Sequence, residues 1–170
     1  MEIRRLGPDD DRSRFRSGNP DLDRFFALYA GQNQFRHHLG TTYVALEDGA
    51  IVAFATVAPS EIAPADRPKG RALKLPRYPL PVLRLARLAV DERAQGRGVG
   101  RALLRAVFRL ARRMAEDLGC VGFLVDAKPD AVSFYAKLGF VALEARSGFL
   151  GDRPVPQPMF IELGALPKEH

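Results

Sequence analysis

The chain has no tryptophan, one cysteine and three histidines in 170 residues. A lone Cys120 cannot close an internal disulfide, and with so few histidines no metal-ligand cluster stands at a recognised spacing, so no metal is expected. Cys120 reads as a buried structural thiol, because the histidine a catalytic cysteine needs is far off at His37-His38, themselves read as surface polar residues. No apolar run approaches the roughly 18 residues of a membrane-spanning helix. Met1-Glu2-Ile3-Arg4-Arg5-Leu6 enters a strand-like pattern directly, without the apolar core and small-residue cleavage site of a secretory signal, so a cytoplasmic location is expected. Acidic residues are in deficit, 20 against 26 basic ones, for a net charge of +6. Most of the basic residues are arginine, whose planar fork suits phosphate and carboxylate, so an anionic partner is expected.

What remains is ordinary globular material: 46% hydrophobic and 27% charged residues over a length that suits one domain, 1–170. Residues 2–6 suggest a first strand. Asn19-Pro20-Asp21 supplies a helix cap, a proline at the first helical position and an acidic first turn; Leu22, Phe25, Phe26 and Tyr29 then fall on one stripe. Residues 41–46 and 50–57 are strand-like and flank Glu47-Asp48-Gly49, a hairpin signal. Pro59 to Pro81 holds six prolines and several basic residues, the pattern of an irregular surface loop. A strand over 82–90, a helix over 100–118 with a buried stripe of Leu103, Val107, Leu110 and Met114, and a doubly covered strand over 121–127 form a crossover unit. A helix over 130–138 and strands over 140–145 and 159–163 close the order, a mixed α/β pattern.

The segment from Leu88 to Arg101 runs from a strand through three glycines into a helix. Glycines permit tight turns and close backbone approach, and the unpaired N–H groups at a helix start attract anions. The Lys-Ser/Thr ending of a nucleotide-hydrolase loop is absent, and Gly96-Arg97-Gly98-Val99-Gly100 lacks the dinucleotide spacing, which excludes both of those classes. Gln95-Gly96-Arg97-Gly98-Val99-Gly100 instead resembles the acetyl-coenzyme A loop of the GNAT N-acetyltransferases. Phe134-Tyr135-Ala136-Lys137-Leu138-Gly139-Phe140, after the 121–127 strand, resembles that family's next helix; together the two motifs cover about residues 82–145. The resemblance implies a GNAT fold: a single mixed, mostly antiparallel sheet flanked by helices and splayed at the cofactor strand. It also implies acetyl-CoA as cosubstrate. Its pyrophosphate would lie on the Gln95, Gly96, Arg97, Gly98, Val99, Gly100 and Arg101 loop, its pantetheine arm on the backbone of Leu88 and Val90, and Tyr135 would protonate the departing thiolate.

Phe15-Arg16-Ser17-Gly18-Asn19-Pro20-Asp21, Leu75-Pro76-Arg77-Tyr78-Pro79 and Arg87-Leu88-Ala89-Val90-Asp91 are similar to the GNAT toxins of bacterial toxin–antitoxin modules, the TacT-like group. Ser17 departs from the cysteine that group often has. This resemblance implies acetylation of the α-amine of aminoacyl-tRNA, a small DNA-binding antitoxin and a homodimer. Chemistry bears on the same choice. Deprotonating lysine at pH 7 costs about 4–5 kcal/mol and calls for a base, whereas an aminoacyl ester is already partly neutral. Strand 82–90 carries no carboxylate, although Asp91, Glu92 or a distant residue could serve. Lys69, Arg71, Lys74, Arg77, Arg84 and Arg87 gather around the proline-rich loop and are expected to meet RNA phosphates. Arg101, Arg105, Arg109 and Arg112 or Arg113 recur at helical spacing and read equally as a solvated face. Two other readings stay open: a GNAT acting on a small amine or protein N-terminus, and a non-catalytic RNA-binding or acyl-CoA-sensing module.

Overall fold

The computed structural model describes residues 1–68, 75–143 and 156–168. Its strands are β1 (Glu2–Arg5), β2 (Thr41–Glu47), β3 (Ala50–Ile62), β4 (Leu80–Val90), β5 (Gly122–Ala127), β6 (Val141–Ala142) and β7 (Gln157–Glu162); its helices are α1 (Pro20–Leu28), α2 (Ala30–Phe35), α3 (Val99–Asp117) and α4 (Val132–Lys137). The strands form one mixed seven-stranded sheet in the order β1-β2-β3-β4-β5-β7-β6. The pairs β1–β2, β2–β3, β5–β7 and β6–β7 are antiparallel. Helix α3 is the crossover between the sheet neighbours β4 and β5.

Two compact units make up the chain. The first comprises Met1–Ala58 and Leu85–Arg109. Asn19 caps α1 as expected, its side-chain oxygen accepting from the backbone N–H groups of Asp21 and Leu22. Phe25 and Phe26 turn inward, and Phe26 stacks on Phe54 of β3 at 4.3 Å while Phe15 meets both rings edge-on. Leu6, Val44, Ile51 and Ala89 complete this core. The expected helix ends early: Tyr29 is the C-cap of α1, 39% exposed, and not part of the buried stripe. A separate α2 follows because Gln34 ties it to the sheet, its amide donating to the Leu6 carbonyl at 3.0 Å and accepting from the Thr42 N–H at 2.8 Å. The hairpin between β2 and β3 turns on Asp48 and Gly49, both at positive φ.

The second unit comprises Pro59–Arg84 and Leu110–His170. Its core joins Ile62, Leu80, Val82, Leu143 and Phe160. Strand β3 runs on to Ile62, so the irregular connection begins later than Pro59. Strand β5 is fully covered on one face, by the burial of Phe123, Val125 and Ala127, and only partly on the other, where Gly122 is buried, Leu124 is half-buried against the Ile62, Leu80 and Phe160 core and Asp126 is exposed. The helix expected over 130–138 is a 3-10 turn, Pro129–Ala131, followed by the short α4, and the strand expected over 140–145 is the two-residue β6.

The stripe on α3 also differs from expectation. Leu103, Leu104, Val107, Phe108 and Ala111 are buried, while Leu110 and Met114 are only half-buried, because an i, i+4 ladder through 103, 104, 107, 108 and 111 follows the helix period more closely. Phe54 is wholly buried between two rings. Phe54→Ala is therefore expected to cost about 3–5 kcal/mol, measured as a lowered midpoint in denaturant unfolding.

Candidate active site

Strand β4 ends at Val90, Asp91 caps the 3-10 turn at Glu92–Ala94, and residues 95–98 lead into α3. Gly96 and Gly98 adopt φ of +79° and +77°, the left-handed region. A Cβ built at either position would meet nothing within 4 Å, so these glycines serve backbone conformation and leave the surface above the loop open. Gly100 differs: a Cβ there would stand 3.3 Å from the Val90 side chain, so its small size lets the start of α3 lie against the end of β4. The first helical bond runs from the Ala102 N–H to the Gly98 carbonyl at 3.0 Å. The N–H groups of Val99, Gly100 and Arg101 precede it and have no acceptor within the helix, and no acidic residue sits in the first turn. Open space, free N–H donors and the positive helix end fit a pyrophosphate. Arg97 and Arg101 are exposed beside it, and Arg97 also reaches Glu47 Oε2 at 2.9 Å.

This loop is held by residues distant in sequence. Asp91 is 1% exposed. Its Oδ1 accepts from the Arg93 N–H and Nε at 3.0 and 2.9 Å, and its Oδ2 accepts from the Arg16 N–H at 3.0 Å and Arg93 Nη2 at 3.2 Å. The Glu92 N–H donates to the Arg16 carbonyl at 2.8 Å, and the Asp91 N–H to the Val52 carbonyl at 2.8 Å. Gln95 Nε2 donates to the carbonyls of Ser17 and Val90, both at 2.9 Å. Its side-chain amide is thus a strut, and the Val90 carbonyl already has a partner. Ser17 is fixed in turn by Asp23, whose Oδ1 accepts from the Ser17 N–H at 2.9 Å and hydroxyl at 2.6 Å. Burial alone would raise the Asp91 pKa, but the bonds from Arg93 and Arg16 outweigh it and hold the carboxyl below its ordinary value. It is ionised and fully engaged, so it does not serve as a free base.

Leu88 and Val90 are half-buried on the same face of β4 as Arg84, while Arg87 falls on the opposite face with the buried Ala89. Tyr135 lies on α4, 5% exposed, with ring centroids 5.1 Å from Phe134 and 5.4 Å from Phe140. Desolvation pushes its pKa well above the usual tyrosine range, so the phenol stays protonated. Among the described residues its hydroxyl has no hydrogen-bond partner.

The basic cluster expected around the proline-rich loop is only partly visible. Lys69, Arg71 and Lys74 lie outside the described residues. Arg77 is exposed. Arg84 pairs with Asp126 at 2.5 Å, and Arg87 sits 3.7 Å over the ring of Phe25. Arg84 and Arg87 therefore do not share one surface of β4. Arg16, Ser17 and Asp23 escaped the sequence-based reading as supports of the glycine loop, since no local spacing signals a bond between residues 78 positions apart.

Residues 38–142 match the acetyltransferase (GNAT) domain family. The chain belongs to the GNAT acetyltransferases. It is 37% identical over 138 residues to a tRNA-acetylating toxin of Mycobacterium tuberculosis, covering 81% of this chain and 82% of that protein. Its fold matches AtaT complexed with acetyl-methionyl-tRNAfMet, with a TM-score of 0.81, 24% identity, and coverage of 96% of this chain and 95% of that one. It also matches a tyrosine-to-phenylalanine mutant of the AtaT toxin bound to the C-terminus of the antitoxin AtaR and acetyl-CoA, with a TM-score of 0.73, 23% identity, and coverage of 96% and 94%.

Replacing Asp91 by Asn removes charge-assisted bonds that contribute about 1.5–3 kcal/mol each. Because the folded carboxyl titrates below its unfolded value of about 3.9, the stabilisation is complete above that pH and is lost as pH falls through the lower folded value. Denaturant midpoints of wild type and Asp91→Asn are expected to differ most at neutral pH and to converge below about pH 4.

Proposed function

We propose that this GNAT acetyltransferase transfers acetyl from acetyl-CoA to the α-amine of aminoacyl-tRNA, and so blocks translation as the toxin of a toxin–antitoxin pair. The observation that carries the reading is its 37% identity, over about four-fifths of both chains, to a tRNA-acetylating toxin. The chemistry of β4 supports it. The strand carries no acidic residue, and the carboxylate at its end, Asp91, is spent on Arg93 and Arg16. A lysine acceptor would lack a strong base there; an aminoacyl α-amine, partly neutral at pH 7, needs chiefly to be positioned.

Acetyl-CoA, when bound, supplies the activated thioester. The backbone N–H groups of residues 97–101 hold its pyrophosphate, with Arg97 and Arg101 adding charge around it. Leu88 and Val90 flank the acyl arm on β4. Tyr135 Oη would give its proton to the departing thiolate, and the proton the acceptor amine releases as the amide forms would restore the phenol; its aromatic surroundings keep the phenol protonated before reaction. Exposed Arg77, with Lys69, Arg71 and Lys74 of the same connection, contributes charge that attracts RNA, whereas Arg84, paired with Asp126, and Arg87, over the Phe25 ring, contribute less. The protein works in the cytoplasm as a homodimer and is neutralised by a small DNA-binding antitoxin; the AtaT toxin bound to its antitoxin AtaR is the supporting parallel.

The Tyr135 hydroxyl bonds to no described residue, so Tyr135→Phe is expected to keep its unfolding midpoint while acetyl transfer to charged tRNA falls about 100-fold or more. Induction of wild type is expected to arrest growth and bulk translation, and induction of the variant to leave both intact. Transfer to free small amines with no product on charged tRNA would replace the tRNA reading by small-amine acetylation. At Gly98, an alanine at φ +77° costs about 1–2 kcal/mol of backbone strain and places a methyl in the open anion space. Gly98→Ala is expected to raise KM for acetyl-CoA about tenfold and leave KM for the acceptor unchanged.

A further inference from the structure

Gln95 braces the glycine loop against two carbonyls, and the two are not equally secure. Its Nε2 donates to the carbonyls of Val90 and Ser17, both at 2.9 Å. Val90 is the last residue of β4 and is held by the sheet. Ser17 lies in the irregular segment between β1 and α1. Its predecessor, Arg16, is tied to the loop side itself, through Asp91 and Glu92, and its successor, Gly18, stands at φ +91°, a pliable joint. Gln95 is exposed, where water competes for its amide, so the brace is only as firm as the carbonyl it grips.

Asp23 supplies that firmness. Its Oδ1 accepts both donors of Ser17, the N–H at 2.9 Å and the hydroxyl at 2.6 Å. An acidic residue in a first turn ordinarily serves the helix's own unpaired N–H groups. In α1 that need is met by Asn19, whose side chain accepts from the N–H groups of Asp21 and Leu22 and whose carbonyl accepts from the Asp23 N–H at 3.0 Å. The Asp23 carboxylate is turned back to Ser17 instead. Helix α1 is in turn anchored by Phe26 stacked on Phe54 and by Phe25 beneath Arg87. One line of contacts, all within the first unit, therefore runs from the aromatic core through α1, Asp23, Ser17 and Gln95 to the glycine loop.

We propose that Asp23 is a positioning residue for acetyl-CoA: by holding Ser17 it fixes the carbonyl that anchors Gln95, and with it the arrangement in which the N–H groups of residues 97–101 meet the pyrophosphate. The proposal rests on placing the pyrophosphate at that loop. It gives Asp23 no contact with the ligand and no part in proton transfer. A loop ordered beforehand spares the ligand the entropic cost of ordering it, so the effect falls on donor affinity.

Titration calorimetry with coenzyme A, and amide hydrogen exchange over residues 95–101 of the unliganded protein, test it. Asp23→Ala is expected to raise Kd for coenzyme A about 5–10-fold, to speed exchange of the loop amides and to leave KM for aminoacyl-tRNA unchanged. Asp23→Asn keeps an oxygen in the place of Oδ1 and is expected to restore most of the affinity. Because Asp23 acts through Gln95, an Asp23→Ala/Gln95→Ala double variant is expected to bind no more weakly than Gln95→Ala alone. Wild-type affinity in Asp23→Ala would overturn the proposal and leave the pyrophosphate assignment intact. Single-variant losses that multiply in the double variant would overturn it too, as would an equal rise in KM for aminoacyl-tRNA, which places the effect in the fold at large. A Gly98→Ala variant that binds coenzyme A as tightly as wild type would remove the pyrophosphate assignment and this proposal with it.

Discussion

The candidate site depends on one buried carboxylate. Asp91 follows the last residue of β4, and its two oxygens accept four hydrogen bonds, from the N–H of Arg16 and from the backbone and side chain of Arg93. A buried carboxylate with unused lone pairs would be costly, whereas a satisfied one is a rigid corner. From that corner the chain turns through Glu92–Ala94 to Gly96 and Gly98, two residues whose freedom would otherwise be an entropic burden on any ligand that had to order them. Gln95 adds a second fixed point by spanning the carbonyls of Ser17 and Val90. The N–H groups at the start of α3, which the proposed reading gives to a pyrophosphate, are thereby held in a fixed arrangement.

The same lattice reaches α1. Asp23, in the first turn of that helix, holds Ser17, and Asn19 caps it, so the segment 16–19 is fixed from the helix side as firmly as from the loop side. Beneath it Phe15, Phe26 and Phe54 form a closely stacked aromatic group. Motion of α1 is therefore coupled to the glycine loop through covalent neighbours and short hydrogen bonds. Serine suits this position, since its hydroxyl donates a strong bond to Asp23 at 2.6 Å.

Much of this was legible from local spacing. The Asn19 cap, the Asp48-Gly49 turn, the glycines before α3 and the position of Tyr135 on a short helix are all decided within a few residues, where backbone geometry leaves few alternatives. The supports of the site were not legible, because the bonds from Asp91 to Arg16 and from Gln95 to Ser17 join segments more than 70 positions apart. The break between α1 and α2 was hidden for a related reason: an apolar residue at Tyr29 continues the helical pattern, and only Gln34 bonding to Leu6 and Thr42 redirects the chain. Alternation on β4 also separates Arg84 from Arg87, which proximity in sequence had grouped as one basic surface.

The two chemical demands of acetyl transfer call for opposite environments, and the chain provides each in a different local context. In the proposed reaction the pyrophosphate calls for exposed donors and positive charge, and the loop at 95–101 is open, glycine-rich and free of acidic residues in the first turn of α3, with Arg97 held by Glu47. Holding a proton for a thiolate calls for an acid that does not ionise early, and Tyr135 is enclosed by Phe134 and Phe140 so that desolvation keeps it neutral. Tyr135 has aromatic neighbours and no charged partner, which keeps its acidity under the control of burial alone. Asp91, the carboxylate that follows β4, is committed to structure by Arg16 and Arg93, and an amine of lower pKa would need less help from a base at that position.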